Sequence, residues 1–184
     1  MVVAIGGFAW TVRPDASTPR ATVNYNAAAP LIVATPSPVT LAGFLQFRDD
    51  YRTKFGETLV DRLTLHEEFV SVTRRAPGDN DDWSADYVYE GGFQRSSTQV
   101  TTRQRDLVPI DLAQVNADAL AAALATAVAT ARVPGGKVAN VSIENDHWLR
   151  QPAISISVTN EANQSGRLYL ALSGEVLKTS PFEG

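Results

Sequence analysis

At 184 residues, 44% of them hydrophobic and 20% charged, the chain has enough apolar material for a core in one domain or two small ones, and neither wholesale disorder nor a collagen-like repeat fits it. A formal net charge of −4, with no basic run longer than Arg74-Arg75, offers no cationic field for a phosphate backbone and excludes nucleic acid as a partner. With no cysteine there is no disulfide, thiolate zinc site or cysteine nucleophile, which leaves the cellular compartment open.

The first ten residues, MVVAIGGFAW, are nearly all apolar and give way abruptly to polar, Pro-bearing sequence. Ten residues rise only about 15 Å as a helix against a hydrocarbon core of about 30 Å, so residues 1–10 read either as the remnant of a membrane anchor or as an apolar first strand. Under the anchor reading, residues 11–39 form a juxtamembrane stretch whose prolines, Pro14, Pro19, Pro30, Pro36 and Pro38, keep it partly extended. Membrane contact is then expected only through that anchor, residues 2–20 contribute little to stability, and the protein lies outside the cytoplasmic membrane or is secreted. Apart from Lys54, Lys137 and Lys178 every basic residue is arginine, and together with the abundant alanine this resembles the usage of a high-GC bacterium such as an actinobacterium.

Residues 40–110 read as a first unit. Leu41, Phe44, Leu45, Tyr51 and Phe55 approximate one helical face, with Thr40 to cap its start and Gly56 its end. From residue 57 the period changes, and Leu59, Leu63, Leu65, Phe69, Val70 and Val72 predict one long strand with a bulge near Glu67-Glu68. A turn cluster at residues 78–82 follows, then a strand carrying Trp83, Ala85, Tyr87 and Tyr89 on one face, and a bend at Gly91-Gly92 into a third strand over 93–102.

Residues 111–184 repeat the order. Asn116 is a good N-cap for an alanine-rich helix carrying Leu120, Leu124 and Val128, which Pro134-Gly135-Gly136 stops. Three alternating runs, 137–144, 153–159 and 166–172, read as strands. The chain is thus expected to be α+β, two repeats of one helix followed by an antiparallel three-stranded meander, with residues 103–111 as a short connection held against the body.

The closing segment GRLYLALSGEVLKTSPF at 166–182, in which Gly174-Glu175-Val176-Leu177 turns a late strand into an extended tail, resembles extracytoplasmic PepSY-type modules, and cystatin-like folds share the element order. The resemblance is best over 116–182 and implies a tandem, noncatalytic binding, inhibitory or assembly module of a bacterial cell envelope, with a protein or envelope component as its partner.

No catalytic set emerges from the residues. His66 and His147 lie in different halves, and neither has a second histidine at zinc-ligand spacing. Gly135-Gly136-Lys137 lacks the Ser or Thr and the leading glycine of a phosphate loop and ends a helix instead of opening one. Asp79-Asn80-Asp81-Asp82 lacks the glycine and distant glutamate of a calcium loop. Glu67 and Glu68 are adjacent and diverge across a strand, so they cannot flank one glycosidic bond. Neither cofactor nor metal is expected. The candidate binding residues are aromatic: Tyr87 and Tyr89, which are core if a helix covers their face and a recognition surface if none does, and Trp148 with Arg150, the pairing that anchors many interfaces. The competing reading is a cone-shaped α+β ligand carrier or enzyme, with an apolar pocket between helix and curved sheet.

Overall fold

Thr40 opens the first helix because its Oγ1 accepts the Gly43 N–H at 3.1 Å, and Gly56 closes it in the left-handed region at φ +74°, its own N–H donating to the Arg52 carbonyl at 2.8 Å. The computed structural model describes residues 35–78 and 82–184. The apolar run 1–10, the Pro-bearing stretch as far as residue 34 and residues 79–81 of the turn cluster lie outside the described residues. In chain order the elements are helix α1 (Leu41–Phe55), β1 (Leu59–Val60), β2 (Arg62–Leu65), β3 (Val70–Arg75), β4 (Trp83–Tyr89), β5 (Phe93–Arg95), β6 (Thr101–Thr102), β7 (Ile110–Asp111), a 3-10 turn (Leu112–Gln114), α2 (Ala117–Ala131), β8 (Lys137–Asp146), β9 (Gln151–Thr159), β10 (Ser165–Leu170) and β11 (Val176–Ser180). Among the described residues no helix is long and apolar enough to cross a membrane.

The strands do not form two helix-plus-three-strand repeats. A nine-stranded antiparallel sheet runs β11-β10-β9-β8-β2-β3-β4-β5, with β6 also on β4, while β1 and β7 form a ladder of their own. The strand expected from residue 59 reverses at Glu67-Glu68, where the His66 N–H donates to the Phe69 carbonyl at 2.8 Å. The break in alternation there is therefore a hairpin turn, not a bulge. The run 93–102 breaks into β5 and β6, and the extended tail after Gly174 is a fourth strand behind α2, β11, paired with β10. At the centre of the sheet β2 pairs with β8, from Arg62 opposite Glu144 to Leu65 opposite Val141. Residues 40–110 and 111–184 thus build one sheet.

Strand parity sends Leu63, Leu65, Val72, Tyr89, Ile143 and Ile156 to one face, where all are buried beneath Phe44, Phe47 and Tyr51 of α1 and Leu120, Ala127 and Ala131 of α2. Phe47 lies outside the stripe expected for α1, yet it is fully buried and meets Tyr51, Tyr89 and Phe93 at centroid distances of 5.3–5.9 Å. Helix α2 starts at Asn116, whose Oδ1 accepts the Ala119 N–H at 3.1 Å, and it ends at Arg132 (φ +54°), before the Pro-Gly-Gly stop. The close of α2 packs directly on β10: a Cβ on Gly166 would stand 2.6 Å from the Ala131 carbonyl oxygen, so only glycine admits the helix there.

The connection 103–111 is held by a buried ion pair. Arg103 donates through Nε and an Nη to the two carboxylate oxygens of Asp61 at 2.8 and 2.7 Å, and through that Nη to the Leu107 carbonyl at 2.8 Å. Ser84 Oγ adds a bond to Asp61 at 3.1 Å, and the two charged side chains are only 7% and 3% exposed. Such a pair contributes little net stability over an apolar isostere, but it fixes the path of the chain.

Two buried phenols confer an alkaline limit. Tyr51 donates to the Leu59 carbonyl at 2.7 Å and Tyr89 to Asp50 Oδ2 at 2.5 Å. Burial, reinforced at Tyr89 by the hydrogen bond to Asp50, pushes both pKa values well above the ordinary 10.0. Above about pH 10 the unfolded chain releases these protons while the native state retains them, so stability falls with rising pH. Urea midpoints should drop between pH 8 and 10.5, and a Tyr51→Phe/Tyr89→Phe variant should show a shallower drop; equal slopes would remove these two groups as the cause.

Candidate functional site

Because both helices lie on one side of the sheet, the side chains of opposite parity form a face that no described helix covers. Register aligns this face into rows. Tyr169 stands opposite Ser155, Ser155 opposite Ser142, Ser142 opposite Thr64 and Thr64 opposite Ser71. Strands β10, β9, β8, β2 and β3 each present a hydroxyl in this row, which spans about 19 Å at 4.8 Å per strand. A parallel row holds Glu144, Arg62, Thr73 and Asp86 on β8, β2, β3 and β4.

The two rows line a hollow of about 370 Å³ bordered by Arg62, Thr64, His66, Ser71, Asp86, Ser142 and Glu144. Toward the β11 edge a second hollow of about 520 Å³ on the same face is bordered by Asn140, Ser157, Thr159, Arg167, Tyr169 and Ser180. Between them the row Ser155-Ser142-Thr64 is continuous.

Some of these polar groups bond to one another across the face. Asp86 accepts from Thr73 Oγ1 at 2.6 Å, Thr64 and Ser142 stand 3.5 Å apart, and Arg167 donates to Ser157 Oγ at 3.2 Å and to the Tyr169 hydroxyl at 3.4 Å. Arg167 and Lys178 each lie 6.0 Å from the Tyr169 ring centroid, giving that end a cationic character. Across β2 and β8, Arg62 and Glu144 are directly opposed but form no ion pair among the described residues. Glu144 and Asp86 are not a catalytic carboxylate pair around one bond: two strands stand between theirs, about 14 Å of backbone separation, and Arg62 and Thr73 fill the interval. The arrangement can donate and accept many hydrogen bonds at once along a shallow track.

The candidate residues fall in two separate places. Tyr87 and Tyr89 lie on the helix-covered face of β4: Tyr89 is 1% exposed, and Tyr87 is half-buried against Phe55 at 5.1 Å. Trp148 and Arg150 sit in the β8–β9 turn, where Asp146 Oδ1 accepts the N–H groups of Trp148 and Leu149 at 2.8 Å and Trp148 is 87% exposed. Asn145 ties this end to the connection by donating to the Val108 carbonyl at 2.8 Å. His66 borders the polar hollow and stacks on Phe69 at 4.2 Å, while His147 is exposed beside Trp148. Among the described residues no three His, Asp or Glu side chains stand close enough to hold a metal ion. The space between α1 and the sheet, where a cone-shaped carrier has its pocket, is occupied by Phe47, Tyr51, Phe55, Tyr89 and Phe93 in mutual ring contact. The hollow lined by His66 and Asp86 lies on the other side of the sheet.

The open-face hydroxyls escaped sequence reading. Their signal was present as a two-residue alternation, as in Arg62-Leu63-Thr64-Leu65 or Ile154-Ser155-Ile156-Ser157, but alternation marks only which positions avoid the core. That they join into a row depends on register.

No protein-family model matches the chain, and no curated protein matches it in sequence, so the PepSY-type and cystatin-like resemblance gains no family support. Among solved structures the chain is similar in fold to a protein described as a "putative lipoprotein" from Clostridium difficile 630, with 14% sequence identity and a TM-score of 0.50, the match covering 74% of this chain and 91% of that one.

Proposed function

We propose that this protein is a noncatalytic binding module that works outside the cytoplasmic membrane of a bacterium, with the open polar face of its sheet as the binding surface for a cell-envelope component. The observation that carries this reading is the asymmetry of the sheet: one face is closed by two helices and filled with aromatic side chains, while the other presents rows of hydroxyls and charges bordering two hollows. The location outside the membrane is supported by the fold likeness to a protein described as a lipoprotein, and by the apolar residues 1–10 followed by Pro-bearing sequence. Backbone held in a sheet presents such a surface with little loss of conformational freedom on binding.

Co-sedimentation with isolated envelope fragments of the bacterium that encodes the protein tests this. The wild-type chain should pellet with the fragments, and Thr64→Arg or Ser142→Arg, which place a long charged side chain in the middle of the row, should lower the bound fraction at least severalfold while the far-ultraviolet circular dichroism stays unchanged. Trp148→Ala should pellet as the wild type does. If the Trp148 variant alone loses binding, the working surface is the β8–β9 turn and the reading is wrong.

A further inference from the structure

We infer that the occupant of the open face is an extended, hydroxyl-rich glycan strand that lies across the β-strands, an inference that rests on the binding reading above. The first argument is chemical. Ser and Thr hydroxyls both donate and accept, as sugar hydroxyls do, and here Tyr169, Ser155, Ser142, Thr64 and Ser71 offer that group on five successive strands. The second argument discriminates against a protein partner. A protein interface needs an apolar, aromatic-rich centre, whereas the centre of this face is serine and threonine, and the aromatic cluster of this half of the sheet is turned inward under α1. Charge is mixed along the track, with Arg62, Arg167 and Lys178 against Glu144 and Asp86, which suits a ligand of low net charge. The third argument is shape: two hollows joined by one row, about 19 Å from Tyr169 to Ser71 at 4.8 Å per strand, fit a chain of several linked units and exceed a single sugar.

The test uses the full chain against an array of microbial envelope oligosaccharides, neutral and N-acetylated, followed by calorimetry on each strand that binds and on its monosaccharide. Affinity should rise with oligosaccharide length. Removing only hydroxyls, in a Thr64→Val/Ser71→Ala/Ser142→Ala variant, should weaken binding by about tenfold or more, since several hydrogen bonds are lost together, and Tyr169→Phe should weaken it further. Failure of every oligosaccharide to bind at millimolar concentration, or equal affinity for monosaccharide and long strand, overturns the inference. In parallel, envelope fragments are treated with periodate, which cleaves glycan diols, or with protease. Loss of co-sedimentation after periodate supports the glycan. Loss after protease alone overturns the glycan and leaves the binding surface standing, whereas co-sedimentation that is absent from untreated fragments overturns the binding reading itself.

Discussion

Asp61→Ala is expected to lower the stability of the folded chain by about 3–5 kcal/mol, because it removes the carboxylate that accepts two hydrogen bonds from the buried guanidinium of Arg103. The structure makes this loss hard to avoid. Arg103 has a side-chain exposure of only 7%; the same guanidinium donates to the carbonyl of Leu107, and the Arg103 backbone N–H donates to that of Asp82. Ser84 would lose its acceptor as well. At about 2–4 °C per kcal/mol for a chain of this size, the melting temperature should fall by roughly 10 °C. Asp61→Leu combined with Arg103→Met removes both charges and should recover most of the loss, since a buried ion pair is worth little against an apolar pair of similar volume. Thermal melts of the single and double variants decide between a pair that fixes the chain path and one that supplies stability: a double variant as unstable as Asp61→Ala would show the pair itself to be stabilising.

Phe47→Ala is the second large effect, at about 3–5 kcal/mol for truncating a fully buried aromatic. Phe47 has no exposed surface and touches the rings of Tyr51, Tyr89 and Phe93, one from its own helix and two from β4 and β5. The cavity would open between α1 and the sheet, where three rigid rings cannot readily collapse into it. Leu45→Ala should cost markedly less, because Leu45 is only half-buried. Denaturant unfolding of the two variants ranks the positions, and a larger loss at Leu45 than at Phe47 would contradict the packing described for α1.

These two residues also mark how far the sequence alone specifies the packing of α1. Phe47 falls three residues after Phe44 and four before Tyr51, a helical spacing open to reading, yet the expected stripe took in Leu45, which shares the apolar character without the position, and left Phe47 out. Helix boundaries were readable because capping is local: Thr40, Gly56 and Asn116 act within one turn of themselves. Strands β8, β9 and β10 announced themselves by alternation. What escaped was whatever lacked a local signal. Glu67-Glu68 makes a hairpin turn without Gly, Asn, Asp or Pro, the usual markers, so β2 and β3 read as one strand. The pairing of β2 with β8 joins residues almost eighty positions apart, and only the mutual fit of their buried faces selects it. From that pairing come both the single nine-stranded sheet and the alignment of Ser142 with Thr64, so the same missing information hid the architecture and the candidate site.

The most direct measurement is a map of amide chemical-shift changes in the isotope-labelled chain on titration with the longest oligosaccharide that binds it. Changes should cluster at Tyr169, Ser155, Ser142, Thr64 and Ser71 and at Glu144, Arg62 and Asp86, on strands that are distant in sequence and adjacent in register, with α1 and α2 silent. Changes confined to residues 147–150 of the β8–β9 turn, or to the helix-covered face, would contradict the open face as the binding surface.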